Sequence, residues 1–294
     1  MKEAEKTRQP LPKPPWLRKR LPAGGKGLWV DQALKDRHLH TICEEGQCPN
    51  RGECYNLGVA TFLILGKVCT RGCTFCAVAT GRGEAPDPEE PARVAEQVAE
   101  LGLKFVVITS VTRDDLPDGG AAHFAATTRA IKERRPGVGV EILTPDFKGD
   151  FDHLALSLSE PPEVFAHNVE TVPRLYPGVR PQANYRRSLA VLAKAAEMGG
   201  KWAVKSGLMV GLGETKEEVF QVMADLRESG CRLITIGQFL SPSPQHHPVV
   251  EYVHPDIFAL YENQAKKMGF DSVASGPFVR SSYLAEHYYR TMGA

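Results

Sequence analysis

The stretch Tyr185-Arg-Arg-Ser-Leu-Ala-Val-Leu-Ala-Lys-Ala-Ala-Glu-Met-Gly-Gly-Lys-Trp-Ala-Val-Lys-Ser-Gly-Leu-Met-Val210 reads as one helix followed by one strand. Leu189, Leu192, Ala193 and Ala196 recur at intervals that place them on one helical face, and Gly199-Gly200 ends the pattern. Residues 202–210 form a short apolar run rich in Val, the signature of a strand buried on both faces of a parallel sheet. The same alternation extends in both directions. Strand-like runs fall at 61–65, 105–111, 138–143, 164–168 and 233–240, with a weaker one at 271–274. Helices are expected at 88–102, where Val94, Val98 and Leu101 share a stripe, at 119–135, at 215–230 and at 256–269. The third of these opens on Thr215, Glu217 and Glu218, a good N-terminal signature. Six strand-helix units are too few for a closed eight-unit barrel and too continuous for two domains, so the chain is expected to be α/β, a partial (β/α)6 TIM-like barrel. A doubly wound sheet would carry a Gly-rich phosphate turn after its first strand. Here that turn holds cysteines. In either fold ligands sit at the carboxyl ends of the strands.

The 294 residues are 42% apolar and 24% charged, the composition of an ordinary globular protein. Lys plus Arg at 36 against Asp plus Glu at 35 leaves a net charge of +1, too balanced for binding nucleic acid by bulk charge. No run is long and apolar enough to span a membrane, and the first residues lack the apolar core of a secretory signal. A cytoplasmic protein is expected. Residues 1–26 carry Lys2, Lys6, Arg8, Lys13, Arg18, Lys19, Arg20 and Lys26 against Glu3 and Glu5, a local charge of 8 − 2 = +6. This proline-rich arm reads as a solvated tail or as a dock for an acidic partner. The expected organisation is an arm with a Cys-rich segment over 1–57, the barrel over 58–277 and a C-terminal extension over 278–294.

Six of the seven cysteines lie between Cys43 and Cys76. In a cytosolic chain this uneven spacing points to metal or redox chemistry, not to a disulfide framework. Directly after the first strand stands Cys69-Thr-Arg-Gly-Cys73-Thr-Phe-Cys76. Three thiolates so spaced can hold three irons of a cubane cluster and leave the fourth iron open for chemistry. A zinc site would need a fourth ligand, and the next candidate downstream is His123. A second triplet, Cys43, Cys48 and Cys54, precedes the first and needs one more ligand to close a cluster. Cys231 is a spare thiol, yet it follows Gly230 at a helix end, opposite the expected site, and reads as a small core residue.

The C-x3-C-x2-C spacing, with aromatic Phe75 before its third cysteine, resembles the radical S-adenosylmethionine (SAM) superfamily. That resemblance implies that SAM chelates the open iron. An electron from the cluster then cleaves SAM to methionine and a 5′-deoxyadenosyl radical able to abstract hydrogen from an unactivated C–H bond. The paired triplets are joined by Gly58-Val-Ala-Thr-Phe-Leu-Ile-Leu-Gly66. Together with 109–120, Asn168-Val-Glu-Thr-Val-Pro-Arg-Leu-Tyr176 and Arg280-Ser-Ser-Tyr283, they resemble the lipoyl synthase family over roughly residues 14–283. This implies insertion of two sulfur atoms at C6 and C8 of an octanoyl chain on a carrier lysine. The carrier would be an E2 subunit of a 2-oxoacid dehydrogenase or the glycine cleavage H protein. Two [4Fe–4S] clusters are implied, the auxiliary one supplying the sulfur, with flavodoxin or ferredoxin as reductant. A serine oxygen is a poorer donor to iron than thiolate and can dissociate as a cluster is dismantled. The resemblance puts that fourth ligand at Ser282, with Ser281 as the fallback.

Other candidates stand at the strand ends. Gly211 and Glu214 lie in the turn after the fifth strand, which the superfamily resemblance implies lines the SAM adenine, and Asn168 and Glu170 suit a ribose and an amino group. Lys205, within the fifth strand, points into the barrel toward SAM or the substrate, or is a surface or salt-bridged lysine. Arg113, Asp114 and Asp115 read as a charged loop, and His246 and His247 have no assigned role. Two other readings remain: a biotin synthase-like enzyme acting on a free small molecule, and a non-enzymatic iron-sulfur or zinc protein.

Overall fold

The structure, a computed structural model, describes residues 11–19 and 25–293. Lys2, Lys6, Arg8 and Arg20 of the basic arm lie outside the described residues. In chain order the elements are α1 (Gly27–Asp36), β1 (His40–Thr41), α2 (Ile42–Glu45), α3 (Arg51–Asn56), β2 (Thr61–Ile64), β3 (Val68–Cys69) and β4 (Ala79–Thr80). Then come α4 (Glu90–Glu100), β5 (Phe105–Ser110), α5 (Ala121–Arg134), β6 (Gly139–Leu143), α6 (Phe151–Ser157), β7 (Val164–Ala166), α7 (Tyr176–Val179) and α8 (Tyr185–Glu197). The chain finishes with β8 (Ala203–Val210), α9 (Lys216–Glu228), β9 (Leu233–Gln238), α10 (Pro255–Lys267), β10 (Ser272–Gly276) and α11 (Ala285–Arg290).

The main sheet runs β1-β2-β5-β6-β7-β8-β9-β10. From β2 to β10 all neighbours are parallel, and only β1 is antiparallel, with His40 opposite Leu63. Six strand-helix units followed by a seventh parallel strand make the partial (β/α)6 barrel expected. The weak run at 271–274 is that last strand, shifted to Ser272–Gly276. Every residue of β2, β7 and β9 is buried, which is why these strands read as unbroken apolar runs with no polar alternation.

The helices follow local rules. Thr215 caps α9 by accepting from the Glu218 amide at 3.3 Å while Glu218 accepts from the Thr215 amide at 2.8 Å, a reciprocal capping box. Val219, Val222, Met223 and Leu226 then face the core. Three regions depart from the expectation. Residues 27–56, where no helix was expected, hold the three helices α1, α2 and α3, because their amphipathic runs are too short to register as a period. The short α6 carries Phe151 and Leu156 on its exposed side, which blurs its apolar stripe, although Asp150 caps it in the usual way. Strand β1, two residues long, carries no pattern at all.

The C-terminal segment runs down the open side of the barrel. Ser282 accepts a hydrogen bond at 2.8 Å from Oγ1 of Thr61, the first residue of β2. Tyr289 packs on Phe105 at the start of β5, with ring centroids 5.2 Å apart, and Ala285 joins Phe105, Val107 and Val164 in a small apolar cluster. Among the described residues no helix is long and apolar enough to cross a membrane.

Candidate active site

The loop after β2 carries the three later cysteines, and its neighbours hold it in place. Arg71, one of the loop's residues, donates from Nε and Nη2 to Asp114 at 2.7 and 3.0 Å, and from Nη2 to Asp146 at 2.7 Å. Asp146 also accepts from Arg187 Nε at 2.7 Å. The Arg71 guanidinium holds the Asp146 carboxyl far below the usual carboxylate range despite burial. Arg113 is fully buried and pairs with Asp115 at 2.9 Å through both nitrogens. The charged stretch 113–115 is therefore an anchor for the cysteine loop, which its composition alone did not reveal. From the other side, His246 meets the Cys76 carbonyl at 3.1 Å and the His247 amide donates to the Thr74 carbonyl at 2.8 Å. The two histidines hold the proline-rich loop after β9 against the cysteine loop.

Cys69, Cys73, Cys76, Cys43 and Cys48 all line one cavity of about 520 Å³ at the carboxyl ends of the strands. Its wall also includes Phe75, Arg71, Asn168, Glu170, Arg280, Ser281 and Ser282. Cys54 does not reach the cavity surface, yet it lies close enough to Cys43 and Cys48 for their charges to act on it. Burial pushes the Cys43 thiol up to about 11 and the Cys54 and Cys76 thiols up to about 12. Burial raises Cys73 too. Each of these thiols is raised further by other members of its own triplet. Such thiols stay protonated near neutrality unless a strongly cationic group draws out the proton, which is what iron does. All seven cysteines are free. Among the described residues no three His, Cys, Asp or Glu side chains converge on a single ion. A cubane takes each thiolate on a different iron and needs no such convergence, so the donor set fits two clusters.

A hydrogen-bonded chain joins the two halves of the wall. Ser281 Oγ donates to Asn168 Oδ1 at 3.1 Å, and Asn168 Nδ2 donates to Glu170 Oε1 at 3.1 Å. Glu170 is held at φ +65°, an uncommon conformation for a residue with a side chain, by its pairing with Leu208 of β8. Its carboxyl is raised by burial and lowered by nearby Arg180, the first effect winning. Arg180 itself donates to the carbonyls of Asn168 and Val169 at 3.1 and 3.0 Å.

Three sequence candidates stand away from the cavity. Lys205 donates to both carboxylate oxygens of Glu141, at 2.7 and 2.9 Å, in a fully buried pair inside the barrel. Its ammonium is thus engaged in the salt bridge, which corrects the expectation of a cofactor contact. Glu214 accepts from the Gly211 and Leu212 amides at 2.6 and 3.0 Å and closes its own turn. A side chain at Gly211 would meet Gln238 Nε2 at 2.3 Å, so glycine is required there by packing. Neither Gly211 nor Glu214 lines the cavity. Cys231 is fully buried in the apolar core, as its sequence position implied.

The Radical SAM superfamily profile matches residues 63–226. Lipoyl synthase of Caldicellulosiruptor bescii is 55% identical over 94% of this chain and 95% of its own length. Lipoyl synthase of Thermus thermophilus is 52% identical over 94% of this chain and 86% of its own. The chain belongs to the lipoyl synthase family. Solved structures agree at the level of fold. Methylornithine synthase superposes with a TM-score of 0.54 at 14% identity, over 83% of this chain and 68% of that one. The FeFe-hydrogenase maturase HydG from Carboxydothermus hydrogenoformans also gives 0.54, at 13% identity, over 79% and 65%.

Proposed function

We propose that this chain is a radical SAM sulfurtransferase that inserts two sulfur atoms, at C6 and C8, into an octanoyl group on a carrier lysine. The observation that carries the reading is the shared cavity: Cys69, Cys73 and Cys76 of one triplet and Cys43 and Cys48 of the other line the same space. Cys69, Cys73 and Cys76 would hold the first [4Fe–4S] cluster, with Phe75, Asn168 and Glu170 beside SAM. Cys43, Cys48 and Cys54 would hold the auxiliary cluster, with Ser282 as its fourth ligand. When bound, the first cluster and SAM supply the electron and the radical that abstracts hydrogen, and the auxiliary cluster supplies sulfur.

The protein's own groups position these parts. Arg71 fixes the first cysteine loop to the loops after β5 and β6. Thr61 orients Ser282, and Ser281 links that segment to Asn168. Phe75, Phe239 and Leu240 give the cavity part of its apolar lining. A tethered substrate needs a mouth, and a second opening of about 610 Å³ shares Lys13, Leu240, Ser241 and Pro242 with the cysteine cavity. Its size and apolar walls suit the arm of an E2 subunit or an H protein. Flavodoxin or ferredoxin would supply electrons, and the cytoplasm, where such carriers work, is the compartment proposed.

Mass spectrometry of an octanoyl-lysyl carrier peptide incubated with SAM and reductant tests this reading. The expected product carries two sulfurs in place of two hydrogens. Abundant 5′-deoxyadenosine with an unmodified peptide would favour an enzyme acting on a free small molecule. No 5′-deoxyadenosine at all would indicate a non-enzymatic iron-sulfur protein.

A further inference from the structure

Arg280 follows β10, and its side chain lines the cysteine cavity. Among the described residues its one hydrogen bond runs from Nη1 to the carbonyl of adjacent Val279, at 2.7 Å, and no carboxylate pairs with it. Two other arginines near the site have carboxylate partners: Arg71 has Asp114 and Asp146, and Arg113 has Asp115. Arg280 is held in place by close backbone packing: a side chain at Gly237 would fall 2.1 Å from the Val279 carbonyl oxygen and 3.4 Å from Arg280 Nη1. A guanidinium does not shed its proton, so this half-buried one, without a carboxylate beside it, brings an unpaired positive charge to the cavity wall. Arg280 and Cys48 line the same cavity, and Asn50, two residues after Cys48, donates from Nδ2 to the Phe278 carbonyl, two residues before Arg280, at 2.6 Å. Cys48 belongs to the triplet assigned above to the auxiliary cluster.

We propose that Arg280 is the cation of the auxiliary cluster, a positioning residue whose free N–H groups serve the cluster's sulfur atoms on the Cys48 side. A cubane held by thiolates and an oxygen is anionic, and both its charge and hydrogen bonds to its sulfurs set its potential. The proposal rests on the two-cluster reading above and adds what neutralises the second cluster. It also explains why an arginine lies two residues before Ser282: the segment that would supply the oxygen ligand supplies the counter-charge as well.

The test uses the full chain carrying Cys69→Ala, Cys73→Ala and Cys76→Ala, so that the auxiliary cluster alone is titrated. Arg280→Gln and Arg280→Lys are added to it, and iron content and midpoint potential are measured by electron paramagnetic resonance during redox titration. Removing the cation should lower the potential in Arg280→Gln, and Arg280→Lys should restore most of it. Loss of the cluster from the Gln variant with retention in the Lys variant would likewise support the charge role. An unmoved potential in a fully loaded Gln variant would overturn it, as would equal iron loss from both variants. Weaker SAM binding by the single Arg280→Gln chain, with the auxiliary potential unmoved, would overturn it in favour of the SAM carboxylate. A triple-alanine background that holds no iron would overturn the two-cluster reading, and the proposal with it.

Discussion

Ser282 accepts from Thr61 and lines the cavity beside Cys43 and Cys48, so its oxygen is already oriented before any metal arrives. Ser282→Ala is expected to leave SAM cleavage intact and to impair lipoyl formation. Ser282→Cys should retain iron and block sulfur release, because thiolate holds iron more firmly than the oxygen does. Normal product yield from both variants would remove the oxygen ligand from the account. A second residue makes a pH prediction. His167 is fully buried between the Thr144 carbonyl and Ser188 Oγ, each at 2.9 Å, and burial lowers its pKa from 6.5 to about 4. The native state therefore resists protonation, and the unfolded chain accepts it. The stability this confers is full above pH 6.5 and is lost as pH falls toward 4, roughly 3 kcal/mol across the window at 1.36 kcal/mol per unit. Urea midpoints of wild type and His167→Gln at pH 7 and pH 5 should show a steeper fall in wild type. Parallel falls would mean that other groups govern the acid limb.

At the scale of elements, the cysteine loop is held by charge more than by apolar packing. Arg71 and Asp146 are almost entirely buried, at 5% and 1% side-chain exposure, and Asp146 ties the loop to Arg187 of α8. Arg71→Ala would leave Asp146 with one partner and is expected to cost about 3–5 kcal/mol, the usual penalty for breaking a buried pair. Bound iron should fall by about half if only the first of two cubanes is lost. Unchanged thermal stability and iron content would show that the anchor is dispensable. The same network marks the limit of what the sequence disclosed. The strands were legible because both faces of each are buried, and α9 because Thr215 and Glu218 form their box locally. The anchoring role of 113–115 was not legible, since Asp114 acts on Arg71, 43 residues away, and Arg113 donates to the Leu65 carbonyl, 48 residues away. Lys205 stayed open between SAM and a salt bridge for the complementary reason: a position within a strand does not say whether a neighbouring strand, here β6 with Glu141, has already satisfied the side chain.

For the molecule as a whole, the incomplete barrel is part of the design of the site. Six strand-helix units leave an open side, and the C-terminal segment occupies it, bringing Arg280, Ser281 and Ser282 up to the cavity while α11 packs at the opposite end. The N-terminal helices bring in Cys43, Cys48 and Cys54 from the other direction. Lys19 joins both additions: it donates to Asn50 Oδ1 at 2.7 Å, pairs with Glu53, and lies 4.5 Å from the centre of the Phe278 ring. The described end of the basic arm is thus a clamp at this point and not a solvated tail. The central claim is that one cavity contains both the group that starts the radical chemistry and the group that surrenders sulfur. Single-turnover reaction of enzyme reconstituted with heavy-isotope sulfide, followed by mass spectrometry of the octanoyl-lysyl peptide, tests it most directly. The account predicts that both inserted sulfurs carry the heavy isotope and that auxiliary-cluster iron is released in step. Product bearing light sulfur from the medium, with the auxiliary cluster intact, would contradict it.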